Sequence, residues 1–99
     1  MKIEAHKEGS ALTITLEGEI NNLAAPEFEK VYQNICKGVR EVHIDMEKAS
    51  YITSTGLRVI LFIQQDMEDQ GGSLEISSVN DDIREVFEFT GFSSFLTIR

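Results

Sequence analysis

Residues 50–56, Ser-Tyr-Ile-Thr-Ser-Thr-Gly, put four aliphatic hydroxyls into seven positions just ahead of the strongly apolar run Val59 to Ile63. If a helix starts here, one hydroxyl, from Thr53 or Ser54, suffices to accept from the unpaired amides of its first turn, and Gly56 permits close packing there. The surplus hydroxyls admit a second chemistry. An ester phosphate at a helix start is stabilised by the same orphan amides and by the helix dipole.

The other reactive side chains are poorly arranged for chemistry. His6 and His43 have no nearby Cys, and metal sites need three or four convergent groups, so both read as structural or exposed histidines. Cys36 falls on an apolar stripe and reads as a buried, inert thiol. Asp66, Glu68 and Asp69 lack the ligand order of a calcium loop and read as a solvated face. The chain carries no GxxxxGK[ST] phosphate loop, no GxSxG elbow, no HExxH and no Cys pair at metal spacing. No general base is visible close to the hydroxyl cluster, so the expectation is a protein that is not an enzyme and uses no cofactor and no metal.

The hydrophobic pattern predicts the elements that position this cluster. Ile3 and Ala5 share one face, and Leu12 to Leu16 alternates, with Glu8-Gly9-Ser10 between them, which predicts a hairpin with one buried face. From Pro26, the residues Phe28, Val31, Tyr32, Ile35 and Cys36 form a helical stripe ended by Gly38. Val42, Ile44 and Met46 alternate with His43 and Asp45 as a third strand whose other face is polar, so the sheet is expected to be covered on one side. After Ser54 comes a second helix. Leu57, Ile60, Leu61 and Met67 share its buried face, Val59, Phe62 and Ile63 widen it, and Gly71-Gly72 end it.

Leu74 and Ile76 mark a fourth strand. Asn80 is positioned to cap a third helix with Asp81 and Asp82 in its first turn, the stripe Ile83, Val86, Phe87, and a stop at Gly91. Phe95 to Ile98 closes the chain as a short strand. The order is β β α β α β α β, and strand-helix-strand stretches of this length favour right-handed crossovers between parallel strands. The fold class expected is α/β: a mixed, four- to five-stranded sheet with helices on one face, as one domain over residues 1–99.

Seventeen acidic residues against nine Lys and Arg give a formal charge of −8. That balance disfavours nucleic acid and anionic lipid and suits a basic protein partner. No apolar run is long enough to span a bilayer, the first ten residues lack a signal-peptide core, and the single Cys forms no internal disulfide, so a cytosolic location without membrane insertion is expected.

The run Ala-Ser-Tyr-Ile-Thr-Ser-Thr-Gly-Leu-Arg-Val-Ile-Leu (49–61) resembles the phosphoacceptor segment of anti-sigma factor antagonists of the STAS family, where a strand passes through an Asp-Ser-Ser/Thr-Gly-Leu turn into a long apolar helix. Two further stretches agree. Residues 17–31 resemble that family's Gly-Glu-Ile/Leu-Asp loop and following helix, and residues 71–92 its Gly-Gly strand, helix and Thr-Gly segment. The resemblance implies that Ser54 is the serine phosphorylated by a partner kinase, with Thr55 as second choice. It also implies that Gly56 and Leu57 begin the helix.

In that family the unphosphorylated protein binds an anti-sigma factor that is also a serine kinase, phosphorylation releases it, and a phosphoserine phosphatase resets the cycle. The partner-binding surface implied comprises Glu19, Ile20, Asn21 and Asn22 of the loop, Thr53, Ser54 and Thr55 of the turn, and Arg58 of the helix. Arg58 pairing with a neighbouring acid is the alternative for that residue. Two positions depart from the pattern: Thr53 and Asn21 stand where the family usually has Asp, and both changes remove negative charge from the implied surface. They motivate a second reading, a STAS interaction module without phosphorylation, serving a transporter or a signalling assembly.

Overall fold

Gly9 takes a left-handed conformation, φ +62°, and turns β1 (Lys2–Glu8) back antiparallel onto β2 (Ala11–Ile20). From β2 onward every strand is parallel to its neighbour: β3 (Glu41–Ile52), β4 (Ser73–Ser77) and β5 (Thr97–Ile98) follow in spatial order β1-β2-β3-β4-β5. Three helices make the crossovers, α1 (Ala24–Ile35), α2 (Ser54–Asp69) and α3 (Asp81–Thr90). Because each connection steps to the next strand in the same direction, right-handed crossovers bring all three to one face. This computed structural model describes residues 2–94 and 96–98, so Phe95 of the expected last strand lies outside them. The mixed sheet and the element order agree with the sequence reading, and the strand number is five.

The core lies between that face and the helices. Leu12, Ile14 and Leu16 of β2, Val42, Ile44 and Met46 of β3, and Leu74 and Ile76 of β4 are buried against Phe28 and Tyr32 of α1, Ile60 and Ile63 of α2, and Ile83 and Phe87 of α3. On the opposite face Thr15, His43, Asp45, Glu75 and Ser77 are half-exposed, as a sheet covered on one side requires. His43 bridges two strands there. Its Nε2 lies 2.6 Å from Ser77 Oγ, and its Nδ1 is 3.6 Å from a Glu75 carboxylate oxygen.

Four expectations change. First, α1 begins at Ala24, two residues before Pro26, because Asn21 supplies the cap: its Oδ1 accepts from the amides of Leu23 and Ala24, both at 3.0 Å. Pro26 is then the third helical residue, where a missing N–H costs nothing. Second, β3 runs on to Ile52. Two bulges, opposite Thr15/Glu17 and Gly18/Glu19, each insert an extra β3 residue, so the buried positions step from Met46 to Ala49 to Ile52 instead of alternating. The Asp45 carboxylate accepts from the Glu47 amide at 3.0 Å at the first of them.

Third, Leu61 and Phe62 are 37% and 40% exposed, because α2 buries one stripe and these two share the outward side with Arg58 and Gln65. Fourth, Cys36 sits just past the end of α1 and is only partly buried, its Sγ donating to the Gln33 carbonyl at 3.6 Å.

Candidate functional site

The long β3 determines where the hydroxyl cluster sits. Ile52 pairs with Ile20, the last residue of β2, and the Thr53 amide donates to the Ile20 carbonyl at 3.0 Å. The β2–α1 and β3–α2 loops therefore leave the sheet side by side at the carboxyl ends of neighbouring parallel strands, the edge where open α/β sheets present their functional groups. Glu19 lies at the end of β2, and Asn21, Asn22, Thr53, Ser54, Thr55 and Arg58 belong to these two loops and the helix start that follows.

Gly56 permits this proximity. A Cβ there would lie 2.7 Å from Ile20 Cγ2, 2.7 Å from Ile52 Cγ1 and 3.1 Å from the Ile20 carbonyl oxygen, so the first turn of α2 rests directly on the two strand ends. Ile20 itself is fully buried. That corrects its assignment to the partner-binding surface: its side chain packs beneath the turn, and only its carbonyl takes part, by holding Thr53.

The three hydroxyls of the turn have different fates. Thr53 is the N-cap residue of α2, with extended backbone, yet its side chain caps nothing. Instead Thr53 Oγ1 donates toward the Ile20 carbonyl at 3.2 Å and approaches Asn22 Oδ1 at 3.4 Å. Thr55 Oγ1 donates to the same Asn22 Oδ1 at 2.6 Å. Ser54, the first residue of α2, is exposed and has no hydrogen bond from its side chain to another described residue. The capping expected of Thr53 or Ser54 is thus absent, because the threonine hydroxyl is drawn across to the β2–α1 loop.

The electrostatics of the helix start follow. The first turn of α2 holds no acidic residue and no side-chain cap, whereas α3 has both, with Asn80 Oδ1 accepting from the Ile83 amide at 2.8 Å and Asp81 and Asp82 beside it. The positive end of the α2 dipole is left open to an anion. Arg58, one turn further on, is exposed and forms no ion pair among the described residues. It lines a groove between α1 and α2 with Pro26, Glu29, Thr55, Val59 and Phe62.

Exposed apolar side chains extend this edge: Leu23 on the loop is 88% exposed, and Leu61 and Phe62 share the outward side of α2 with Arg58. The apolar pattern of the sequence places Leu61 and Phe62 on the buried face. The available signal was the width of the run Val59 to Ile63, which covers more of the helix circumference than one buried stripe. Glu19 and Asn21 line a shallow depression with Leu23, Ala24 and Glu27. Tyr51 faces elsewhere, into a groove with Asp82, Glu85, Val86 and Phe89. No group of three or more His, Cys, Asp or Glu that could hold a metal occurs among the described residues.

Comparison with known proteins gives the same architecture a family. BtrV of Bordetella bronchiseptica, a proposed anti-sigma factor antagonist, is 32% identical over 99% of this chain and 85% of its own length. The anti-sigma-B factor antagonist of Staphylococcus aureus is 26% identical over 99% of this chain and 92% of its own. Among solved structures, the antagonist SpoIIAA in its unphosphorylated form superposes with a TM-score of 0.80 at 20% identity, covering 99% of this chain and 87% of that one. Bacillus SpoIIAA in the phosphorylated form gives 0.79 at 18% identity, covering 99% and 91%. With the STAS domain matched over residues 2–99 and a relative at this identity along nearly the whole length, the chain belongs to the STAS domain family.

Proposed function

We propose that this chain is an anti-sigma factor antagonist: unphosphorylated, it docks the loop-and-turn edge on an anti-sigma factor that is also a serine kinase, and phosphorylation of Ser54 releases it. A phosphoserine phosphatase returns it to the binding form. The observation that carries the reading is the state of Ser54, an exposed hydroxyl at the open amino end of α2 with no side-chain hydrogen bond to another described residue. The names of the relatives, antagonists of anti-sigma factors, supply the partner class. In this cycle the chain is substrate and switch rather than catalyst. The cycle runs in the cytosol, and no helix among the described residues is long and apolar enough to cross a membrane.

The physical chemistry is sufficient. A phosphate brings about −1.5 to −2 charges at neutral pH. Forced unpaired into an interface built for a neutral hydroxyl, it costs about 4 kcal/mol, close to a thousandfold in affinity. Nothing inside the domain has to rearrange, since repulsion and desolvation act at the contact itself. Glu19, Asn21, Asn22, Thr53, Thr55 and Arg58 would surround the serine, with Leu23, Leu61 and Phe62 supplying the apolar area.

The test is an affinity capture from the native cytosol with wild type, Ser54→Ala and Ser54→Asp as baits. Wild type and Ser54→Ala are expected to retain a kinase-fold protein that Ser54→Asp binds at least about tenfold more weakly, one carboxylate being a weaker mimic than a phosphate. Identical capture by all three overturns the switch and favours a constitutive STAS module.

A further inference from the structure

Three hydroxyls crowd one helix start, and one side chain from another loop separates them. Asn22 Oδ1 takes the Thr55 hydrogen at 2.6 Å and lies 3.4 Å from Thr53 Oγ1, which the Ile20 carbonyl also holds at 3.2 Å. Ser54, between the two threonines, is left exposed with no such contact among the described residues. We infer that Asn22 is a positioning residue that selects the phosphorylation site, tying Thr55 to the β2–α1 loop so that Ser54 is the hydroxyl presented. The inference rests on the reading of this turn as the phosphoacceptor.

The chemistry explains why a tied hydroxyl is a poor acceptor. In the transfer, the acceptor oxygen attacks the γ-phosphorus of a nucleoside triphosphate held by the kinase. A new oxygen–phosphorus bond forms, the bond from that phosphorus to the β,γ-bridging oxygen breaks, and the nucleoside diphosphate leaves. The hydroxyl proton passes to a base on the kinase. Thr55 has already committed its hydrogen to Asn22 and must break that bond before it can react, whereas exposed Ser54 makes no such bond to another described residue and has only solvent to give up. A hydrogen bond of ordinary net strength corresponds to roughly a two- to tenfold handicap.

The arrangement is asymmetric, and the asymmetry makes the inference specific. Removing the Asn22 amide frees Thr55 completely, while Thr53 keeps the Ile20 carbonyl. In Asn22→Ala the ratio of phosphate on Thr55 to that on Ser54 should therefore rise by roughly two- to tenfold, with Thr53 still silent. Asn22→Asp retains an accepting oxygen and should restore the wild-type ratio. A purely structural role for Asn22 would change the total yield without moving the ratio.

The experiment incubates the full chain as wild type, Asn22→Ala and Asn22→Asp with ATP and native cytosolic extract, and maps phosphate on residues 53–55 by mass spectrometry. In parallel, NMR follows the Asn22 side-chain amide in Thr55→Val and Ser54→Ala, where only Thr55→Val should move it. Ser54 phosphorylation with an unchanged ratio in Asn22→Ala overturns the inference and leaves the phosphoacceptor reading intact. No phosphate on the wild-type turn overturns both. An Asn22 amide indifferent to Thr55→Val overturns the inference without reference to any kinase.

Discussion

Gly56→Ala tests the central packing claim, that the hydroxyl turn is held in place by direct contact between the start of α2 and the ends of β2 and β3. The added methyl would meet Ile20 Cγ2 and Ile52 Cγ1 at 2.7 Å each, and the Ile20 carbonyl oxygen at 3.1 Å. Carbon–carbon contacts settle near about 3.5–4.0 Å, so two contacts are short by roughly 1 Å. Neither isoleucine can readily move aside. Ile20 and Ile52 are 0% and 1% exposed, and their branched side chains are stiff at χ1. Overpacking of this kind costs about 2–3 kcal/mol, against which Ala gains at most about 1 kcal/mol in helix propensity over Gly.

The net loss is about 1–2 kcal/mol, which in a domain of this size lowers Tm by about 5–15 °C. Thermal melting by circular dichroism reads it directly. Because relief of the clash requires α2 to lift away from Ile20, the Asn22 side-chain amide should also shift in NMR spectra. A Gly56→Ala protein that melts at or above the wild-type temperature would refute the contact as described, since propensity would then have outweighed a clash that was not there.

Two further outcomes follow from single side chains. Asn80 caps α3 through Oδ1, and its Nδ2 donates to the Ala49 and Ser50 carbonyls at 3.1 and 3.2 Å; Asn80→Ala should cost about 1–2 kcal/mol in urea unfolding, and Asn80→Asp, which keeps the cap but faces an oxygen to those carbonyls, should not restore it. Burial, then the hydrogen bond to Asp66 and its charge, push the Tyr32 phenol well above its ordinary value of 10.0, so the folded protein keeps a proton that the unfolded chain loses, and stability should fall as pH rises beyond about 10. In Tyr32→Phe the stability deficit against wild type should shrink above that pH, and a deficit constant from pH 7 to 11 would contradict the assignment.

Several features set by near neighbours are legible in the sequence, though not the Asn21 cap that starts α1 at Ala24. The hairpin, the stripe Phe28-Tyr32, the Asn80 cap and the stop at Gly91, with φ +82°, all depend on neighbours within a few residues. The second half of β3 is hidden because its two bulges replace alternation with steps of three, which erases the period-two signal of a strand. The site's hydrogen bonds were hidden for a different reason. Asn22 reaches Thr53 and Thr55 across separations of 31 and 33 residues, and neither threonine shows in its own surroundings that its hydroxyl is drawn away from the helix it begins. Ser54 could be singled out in sequence only through the family resemblance, whereas the fold separates it from Thr55 by geometry.

The two departures from the family pattern acquire a physical meaning in this frame. Asn21 caps α1 with a side-chain oxygen and a backbone carbonyl, and both accept; an amide oxygen fills that role as a carboxylate would. Thr53 does something a carboxylate could not, because its hydroxyl donates toward two oxygens, and an Asp there would face acceptors with acceptors. Neither substitution therefore dismantles the edge. What both do is clear negative charge from it, leaving the first turn of α2 without an acidic residue. A phosphate on Ser54 would arrive as the first anion at that helix start, where the field of a nearby carboxylate would otherwise already have been accommodated by a partner. The phosphate would add the same charge whatever residues stand at 21 and 53, so what the two substitutions alter is the starting point: a helix start without a carboxylate, to which a partner would have to be matched in its neutral form.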